Sequence, residues 1–399
     1  MQMKSLAVFI NTYGCFKKEK YYFERPSLTD FFLHLGDKYS KVTIYQYKKD
    51  ELDGSETCIC VPSEGSVEFK FIPLKNRGIL RLNNVFSVFQ QIIDFYKSIE
   101  EYDEVCCIGF SVLGTILATE CILAGKEIMF YVRGDAVAFN DIEYTENRRT
   151  RIAYEAVRLF QKYNFWLFVK AKAVLVCGEQ LRKRFCGLNK NTFSVNPLLP
   201  EYYLESETPR IPKPFSPCFK ILYVGWLLKR KGVYVLLEAV RLLNKNVRNW
   251  ELVIIGEGVE RAGLERWVEE NNLNGNVYLE GSVKNDELIR VYDQADVLVL
   301  PSYTEGTPRV IAEAFSRGLP VIATDVGSVS CMVQNGWNGL LTGPGKVIEI
   351  CELLKYLIKN PEKREFISSR AMESCKKYMI KDQAELVKNK LCQIEALDQ

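Results

Sequence analysis

One histidine stands in the 399 residues, His34 in the run FFLHLGD, so no histidine cluster is available to hold zinc. The 13 cysteines do not replace it. They form no paired C-x-x-C arrangement; the close pairs are Cys58/Cys60 and the adjacent Cys106/Cys107. An odd number scattered through apolar segments reads as reduced cysteines serving as small hydrophobes in a cytosolic protein. No Asp-x-Asp spacing occurs at a strand tip, so no metal is expected. Repeats and low-complexity tracts are missing. The longest apolar stretch, 105–119, lies between Glu104 and Glu120 and contains Gly109 and Gly114. It is shorter than the roughly 20 residues of a membrane helix and reads as strand, turn and buried helix start. The opening MQMKSLAVFIN is too short for a signal peptide and reads as a first strand. Charge is nearly balanced, at +3 net and pI near 8.1, which gives no footprint for nucleic acid.

What is present is apolar and globular: 47% hydrophobic and 26% charged residues, in a length suited to two domains. Strand and helix patterns alternate throughout. In the first half, strands are expected at 6–11, 42–46, 105–109, 128–132, 173–177 and 193–195. Helices are expected at 27–38, 80–99, 115–124, 146–169 and 179–185. Such alternation builds parallel sheets from βαβ units. Six prolines between 197 and 217 break the pattern and mark an interdomain linker. The second half then restarts. Strands are expected at 219–224, 252–256, 277–279, 297–300 and 321–323. Helices are expected at 233–244, 261–271, 286–294, 309–317, 347–359, 361–377 and 383–394. The inferred architecture is α/β, two doubly wound Rossmann-like domains facing across a cleft. Domain one is 1–197 with 379–399 packing back on it, the linker is 198–217, and domain two is 218–378. Ligands of such sheets bind beyond the C-terminal ends of the strands.

The chemistry concentrates in ADVLVLPSYTEGTPRVIAEAFSRGLPVIATDVGS, residues 295–328. A strand ends at Pro301, a polar glycine-containing loop follows, and a helix starts near Pro308. Proline suits the first helical position because its missing N–H would be unpaired there. A helix N-terminus fed by such a loop offers free N–H groups and the positive dipole end to a diphosphate. Glu305 lies in the loop. Glu313 lies more than one turn into the helix, where a carboxylate can accept from a vicinal diol such as a ribose. Gly256-x-Gly258 is a turn and lacks the full dinucleotide-binding pattern.

TEGTPRVIAEA resembles the Glu–seven residues–Glu signature of retaining family-4 glycosyltransferases. YVGWLLKRKGVYVLLEA (223–239) resembles that family's first C-domain strand with its phosphate-binding Lys-Gly, and LVIIGEGVERAGLE (252–265) its second βα unit. VYLEGSVKNDELIRVYDQADVLVLPS, LPVIATDVGS and NGWNGLL continue the resemblance, which spans about 223–345. It implies the GT-B fold and transfer of a sugar from a nucleoside-diphosphate sugar to a hydroxyl of a glycan or lipid-linked acceptor. It also implies retention, and a setting in surface polysaccharide or glycolipid synthesis. By that resemblance Glu305 holds donor-sugar hydroxyls, Lys231 neutralises the leaving diphosphate, and Glu313 takes the ribose. Val283 lies near the base. Gly225, Gly256, Gly258, Gly306, Thr307, Pro308, Arg309 and Val310 complete the expected donor site. No cofactor is implied.

The chain departs from the family at several points. Trp226 stands where an arginine is usual and cannot supply a cation; neighbouring Arg230 either substitutes or is a solvated loop residue. The usual N-domain histidine is missing, and His34 lies in a helix too early to replace it. Arg133 and Asp135, in YVRGD, stand at that strand tip instead. They are either acceptor or phosphate contacts or a loop-stabilising pair. An acidic residue is replaced by Cys331. Two segments mix basic and aromatic residues: NTYGCFKKEKYYFERP, read as a loop after the first strand, and residues 147–172. They are either a peripheral contact with a membrane face or a core with a solvated rim. The expected location is cytoplasmic, at the inner membrane face if that contact exists. Two rival functions remain: a nucleotide-sugar epimerase on the same fold, and a non-catalytic nucleotide-sugar-binding scaffold.

Overall fold

The computed structural model describes residues 3–17, 20–23, 26–48, 57–59, 67–73, 82–109, 111–133, 148–196, 198–204 and 218–397. The chain folds as two compact units, Met1–Leu198 with Ile380–Gln399, and Leu199–Met379.

The first unit has a sheet of nine strands among the described residues. Its parallel part runs β5 (Val67–Pro73), β3 (Lys41–Lys48), β1 (Ser5–Lys17), β6 (Glu104–Ile108), β7 (Glu127–Val132), β8 (Ala173–Cys177), β9 (Thr192–Val195). The far end of β1 turns back antiparallel into β2 (Lys20–Phe23), which pairs β4 (Thr57–Ile59). The segment expected as a loop after the first strand is therefore largely a hairpin. Phe23 is buried against Phe69 of β5, so part of the basic–aromatic cluster is sheet packing. Lys18 and Arg25 lie outside the described residues.

One sheet face is covered by α2 (Leu82–Ser98), α3 (Val112–Leu123), α4 (Arg148–Lys170) and α5 (Glu179–Phe185). The other face is covered by α1 (Pro26–Leu35) and α13 (Ile380–Leu397). α13 holds because Ile380, Ala384, Val387, Leu391 and Ile394 recur at three- and four-residue intervals and bury one stripe on Leu28, Phe31, Phe32 and Leu35. Each large side chain so buried contributes about 1.5–3 kcal/mol before entropy. His34 is a half-exposed residue of α1, 3.7 Å from Asp30.

At the N-terminal edge of this sheet the strands begin on paired charges. Glu104 is buried; Lys4, Lys172 and the Tyr39 hydroxyl donate to it, Lys4 at 3.0 Å and Tyr39 at 2.8 Å. Glu127 takes Lys4 at 2.6 Å and Lys172 at 3.0 Å. Glu395 of α13 takes Lys172 and Lys38, each at 2.8 Å. The network ties the last helix of the chain to its first strand.

The second unit has a six-stranded, all-parallel sheet. Its order is β12 (Val277–Gly281), β11 (Trp250–Ile255), β10 (Phe219–Val224), β13 (Val297–Leu300), β14 (Val321–Thr324), β15 (Leu340–Thr342). α6 (Val233–Leu243), α7 (Arg261–Glu270) and α11 (Val347–Lys359) cover one face. α8 (Asn285–Gln294), α9 (Arg309–Ser316) and α10 (Val329–Met332) cover the other, with help from α12 (Pro361–Cys375). Of the expected linker, Leu198 belongs to the first unit and the chain from Leu199 to this one, where Leu199 N–H donates to Tyr378 O at 2.9 Å. Residue 197 and residues 205–217 lie outside the described residues.

The network makes a pH prediction. Burial pushes the Glu127 and Glu395 carboxyls up, but their lysine hydrogen bonds outweigh it and leave both below the ordinary carboxylate value. A depressed folded-state value gives stability that is complete above the unfolded value. It is lost as pH falls through the folded one. Urea unfolding should therefore show weakening below about pH 4.5. Glu395→Gln should flatten that acid limb. Glu104→Gln, which leaves lysines facing a neutral buried group, should cost about 3 kcal/mol at neutral pH.

Candidate active site

The C-terminal tips of β10, β13 and β14 meet around one loop, Pro301–Pro308. Lys231 ends a short 3₁₀ turn after β10, closed by Lys231 N–H to Leu228 O at 2.9 Å and Gly232 N–H to Lys229 O at 3.0 Å. Gly232 has φ 67° and caps the start of α6. A Cβ there would lie 2.1 Å from Pro301 O, so only glycine lets the two loops touch. From the other side Gly327, φ 62°, follows β14; a Cβ on it would lie 1.9 Å from Glu305 O. Tyr303 N–H donates to Arg230 O at 2.8 Å and Ser328 N–H to Gly306 O at 2.9 Å. The Glu305 loop is thus held by backbone on both flanks.

Inside this frame Lys231 Nζ donates to Glu305 Oε1 at 2.7 Å, and Ser302 Oγ donates to the same oxygen at 2.6 Å. The ion pair is largely buried, at 15% and 6% side-chain exposure, which makes it stronger than a surface pair. Among the described residues no hydrogen bond reaches Glu305 Oε2. The ammonium has two more N–H donors.

Glu313 sits in the second turn of α9, 7% exposed. Tyr292 of α8 donates its hydroxyl to Oε2 at 2.8 Å. Arg309 Nε lies 2.8 Å from Oε1, close enough for an ion pair, although its N–H is not in line to bond. Burial, and then the Glu313 charge, push the nearby Tyr203 hydroxyl well above its ordinary value. Both oxygens of Glu313 therefore have partners already.

The remaining expected residues separate. Gly306 is exposed, Thr307 half-buried, and Pro308 caps α9 with extended backbone one position before the helix proper. Val310 packs against the core beneath α9. Gly225 and Gly256 touch backbone to backbone, and Gly258 packs on the Leu227 backbone, so these glycines fix loop against loop. Val283 lines a cavity of about 430 Å³ on the sheet face, with Ile255, Tyr278 and Val291; Lys231, Glu305 and Glu313 are not part of it. Arg230 is exposed. Trp226 is 65% exposed, and its carbonyl accepts from the Tyr223 hydroxyl at 3.0 Å. In the first unit Arg133 is exposed after β7, and Asp135 lies outside the described residues. Cys331 is exposed on α10. Ser302 and Tyr292 were not foreseen. Ser302 stands three residues before Glu305, a spacing that suits a local Ser–Glu contact; Tyr292 is 21 residues from its partner and leaves no such mark.

Residues 207–374 match the family described as glycosyl transferases group 1. The second unit is a group 1 glycosyltransferase domain. Among curated proteins, alpha-D-kanosaminyltransferase of Streptomyces kanamyceticus is 29% identical over 151 residues, 38% of this chain and 39% of that protein. The amylovoran biosynthesis glycosyltransferase AmsK of Erwinia amylovora is 31% identical over 141 residues, 34% and 35% of the two chains. The chain spans well under half the length of these relatives. Among solved structures, Anabaena HepE in complex with UDP and glucose superposes with a TM-score of 0.69 at 15% identity, over 98% of this chain and all of that one. The two units have the GT-B fold.

Gly327→Ala tests the frame. The methyl group has no room and the φ is unfavourable, so about 2 kcal/mol or more of stability should be lost, read as a lowered midpoint in urea. Tyr292→Phe should cost about 1–2 kcal/mol in the same assay, by leaving Glu313 Oε2 short of its donor.

Proposed function

We propose that the chain transfers a sugar from a nucleoside-diphosphate sugar to a hydroxyl of a glycan or lipid-linked acceptor, with retention, in surface polysaccharide or glycolipid synthesis. Support comes from the group 1 domain, from relatives named for glycosyl transfer, and from a solved GT-B neighbour holding UDP and glucose. The observation that carries the reading is the Lys231–Glu305–Ser302 cluster at the strand tips.

In this reading Glu305 Oε2 accepts from hydroxyls of the donor sugar. Lys231 keeps one N–H on Glu305 and turns the other two to the diphosphate. The acceptor oxygen attacks the anomeric carbon from the face that the phosphate leaves. The carbon–oxygen bond to phosphate breaks, the new glycosidic bond forms, and the acceptor proton passes to the departing phosphate oxygen. No separate protein base is then required. Negative charge grows on the leaving group, and a cation already fixed in place stabilises it without reorganisation. Glu313 meets the ribose through lone pairs not used by Tyr292 and Arg309. No resident cofactor takes part. Peripheral contact with the inner face of a membrane brings the enzyme to a lipid-linked acceptor.

The test is release of free nucleoside diphosphate from a panel of UDP-, GDP-, dTDP- and ADP-sugars, with and without candidate acceptors. One donor should be used, and Glu305→Gln should slow its release by roughly 10²–10³. Lys231→Met should do the same with a smaller effect on donor binding. Nucleotide binding without turnover, whatever acceptor is added, would instead leave a scaffold. A changed sugar nucleotide without release would indicate an epimerase.

A further inference from the structure

The outer surface of one helical layer in the first unit carries large exposed apolar side chains among its charged ones. α2, α3 and α4 lie side by side on the same sheet face, with α3 in the middle. Thr115 Oγ1 donates to Asn164 Oδ1 at 2.9 Å, and the Thr119 and Tyr163 hydroxyls meet at 2.9 Å, which locks α3 to α4. On α4 the outward stripe reads Leu159, Lys162, Tyr163, Trp166, Val169, Lys170, at helical spacing. Leu159 is 64% exposed and Trp166 45%. The Tyr163 and Trp166 rings stack at 5.6 Å, with 20° between their planes. α3 carries one charged side chain, the half-buried Glu120, among mostly apolar residues, and Leu123 at its end is 81% exposed. Phe89 and Tyr96 extend the surface onto α2.

Apolar surface of this extent marks a contact site. Its charge says with what. α4 carries six basic residues and one acidic one, Glu155. Cores of protein–protein interfaces are depleted in lysine, yet Lys162 and Lys170 stand among the exposed aromatics. At the boundary between lipid headgroups and acyl chains both kinds of group are satisfied. Aromatic and aliphatic side chains enter the apolar layer, and lysines lay their stems along it and reach the phosphates.

We propose that the α2–α3–α4 face seats the protein on an anionic lipid surface, with α4 lying in the headgroup plane. This deepens the membrane part of the reading above and does not depend on its transfer chemistry. The experiment is co-sedimentation of the full chain with phosphatidylcholine vesicles, with and without about one-third phosphatidylglycerol. The wild type should pellet only with the anionic vesicles. The pair Leu159→Ser/Trp166→Ser and the pair Lys162→Glu/Lys170→Glu should each weaken binding by roughly tenfold. Circular dichroism should show both pairs folded; if the serine pair unfolds, the glutamate pair alone decides. Nucleoside diphosphate release in solution should not change in the folded variants, which keeps this proposal separable from the function of Glu305. Binding without anionic-lipid dependence, or binding that survives in the folded variants, would overturn it. So would self-association on gel filtration that the variants abolish without any vesicle binding, which would assign the face to a second copy of the chain.

Discussion

Backbone pressed against backbone is the constraint on which the candidate site depends. Gly232 lies on the Pro301 carbonyl and Gly327 on the Glu305 carbonyl, with no side chain between. A contact made by side chains can relax through another rotamer; a contact between main chains cannot. The loop that carries Glu305 is therefore placed by the tips of β10 and β14, and the Lys231–Glu305 bond of 2.7 Å follows from that placement. Gly225 against Gly256, and Leu227 against Gly258, repeat the device one strand further out. Positioning of this kind lets a cation act on a developing charge without first being moved into place.

The sequence made the sheet frames legible because the helix and strand periods are clean where each element has one job. α5 and β10 stand at their expected bounds, since each is short, amphipathic or largely buried, and flanked by breakers. The hairpin of β1 and β2 was not legible. Its tyrosines, phenylalanines and lysines look like a basic–aromatic loop until β5 supplies Phe69 for Phe23 to pack on. β5 itself alternates apolar and polar residues in VEFKFIP, a weak signal over seven positions. β15 and α10, at three and four residues, are too short for any period to register.

At the site the motif identified the acidic and basic residues but not what they do to one another. Glu305 and Glu313 look equivalent as letters with seven residues between them. In space, among the described residues, one has an oxygen without a hydrogen-bond partner while the other has both oxygens engaged. That difference comes from Tyr292 and Arg309, and neither a lone tyrosine in α8 nor an arginine at a helix start signals it locally. Ser302 and Gly327 were within the segment read as informative, yet their roles require knowing which strand tips are neighbours. Sheet order decides that, and β10 pairs with β13 across a gap of some seventy residues.

Charge balance shows what Trp226 costs. Lys231 bound to Glu305 is close to a neutral pair, so under the proposed function a diphosphate placed there needs positive potential from elsewhere. An arginine at position 226 would supply it; an indole cannot. Three sources remain on the same loops. α6 begins at Val233, two residues after Lys231, and α9 begins at Arg309, four residues after Glu305. Each helix start contributes roughly half a positive charge together with N–H groups that no carbonyl takes. Arg230, exposed beside Lys231 and fixed through its own carbonyl to Tyr303, can bring a full charge to the same place without disturbing the frame. A loop held by its main chain tolerates such an exchange, because the residues that carry charge are not the residues that carry the fold.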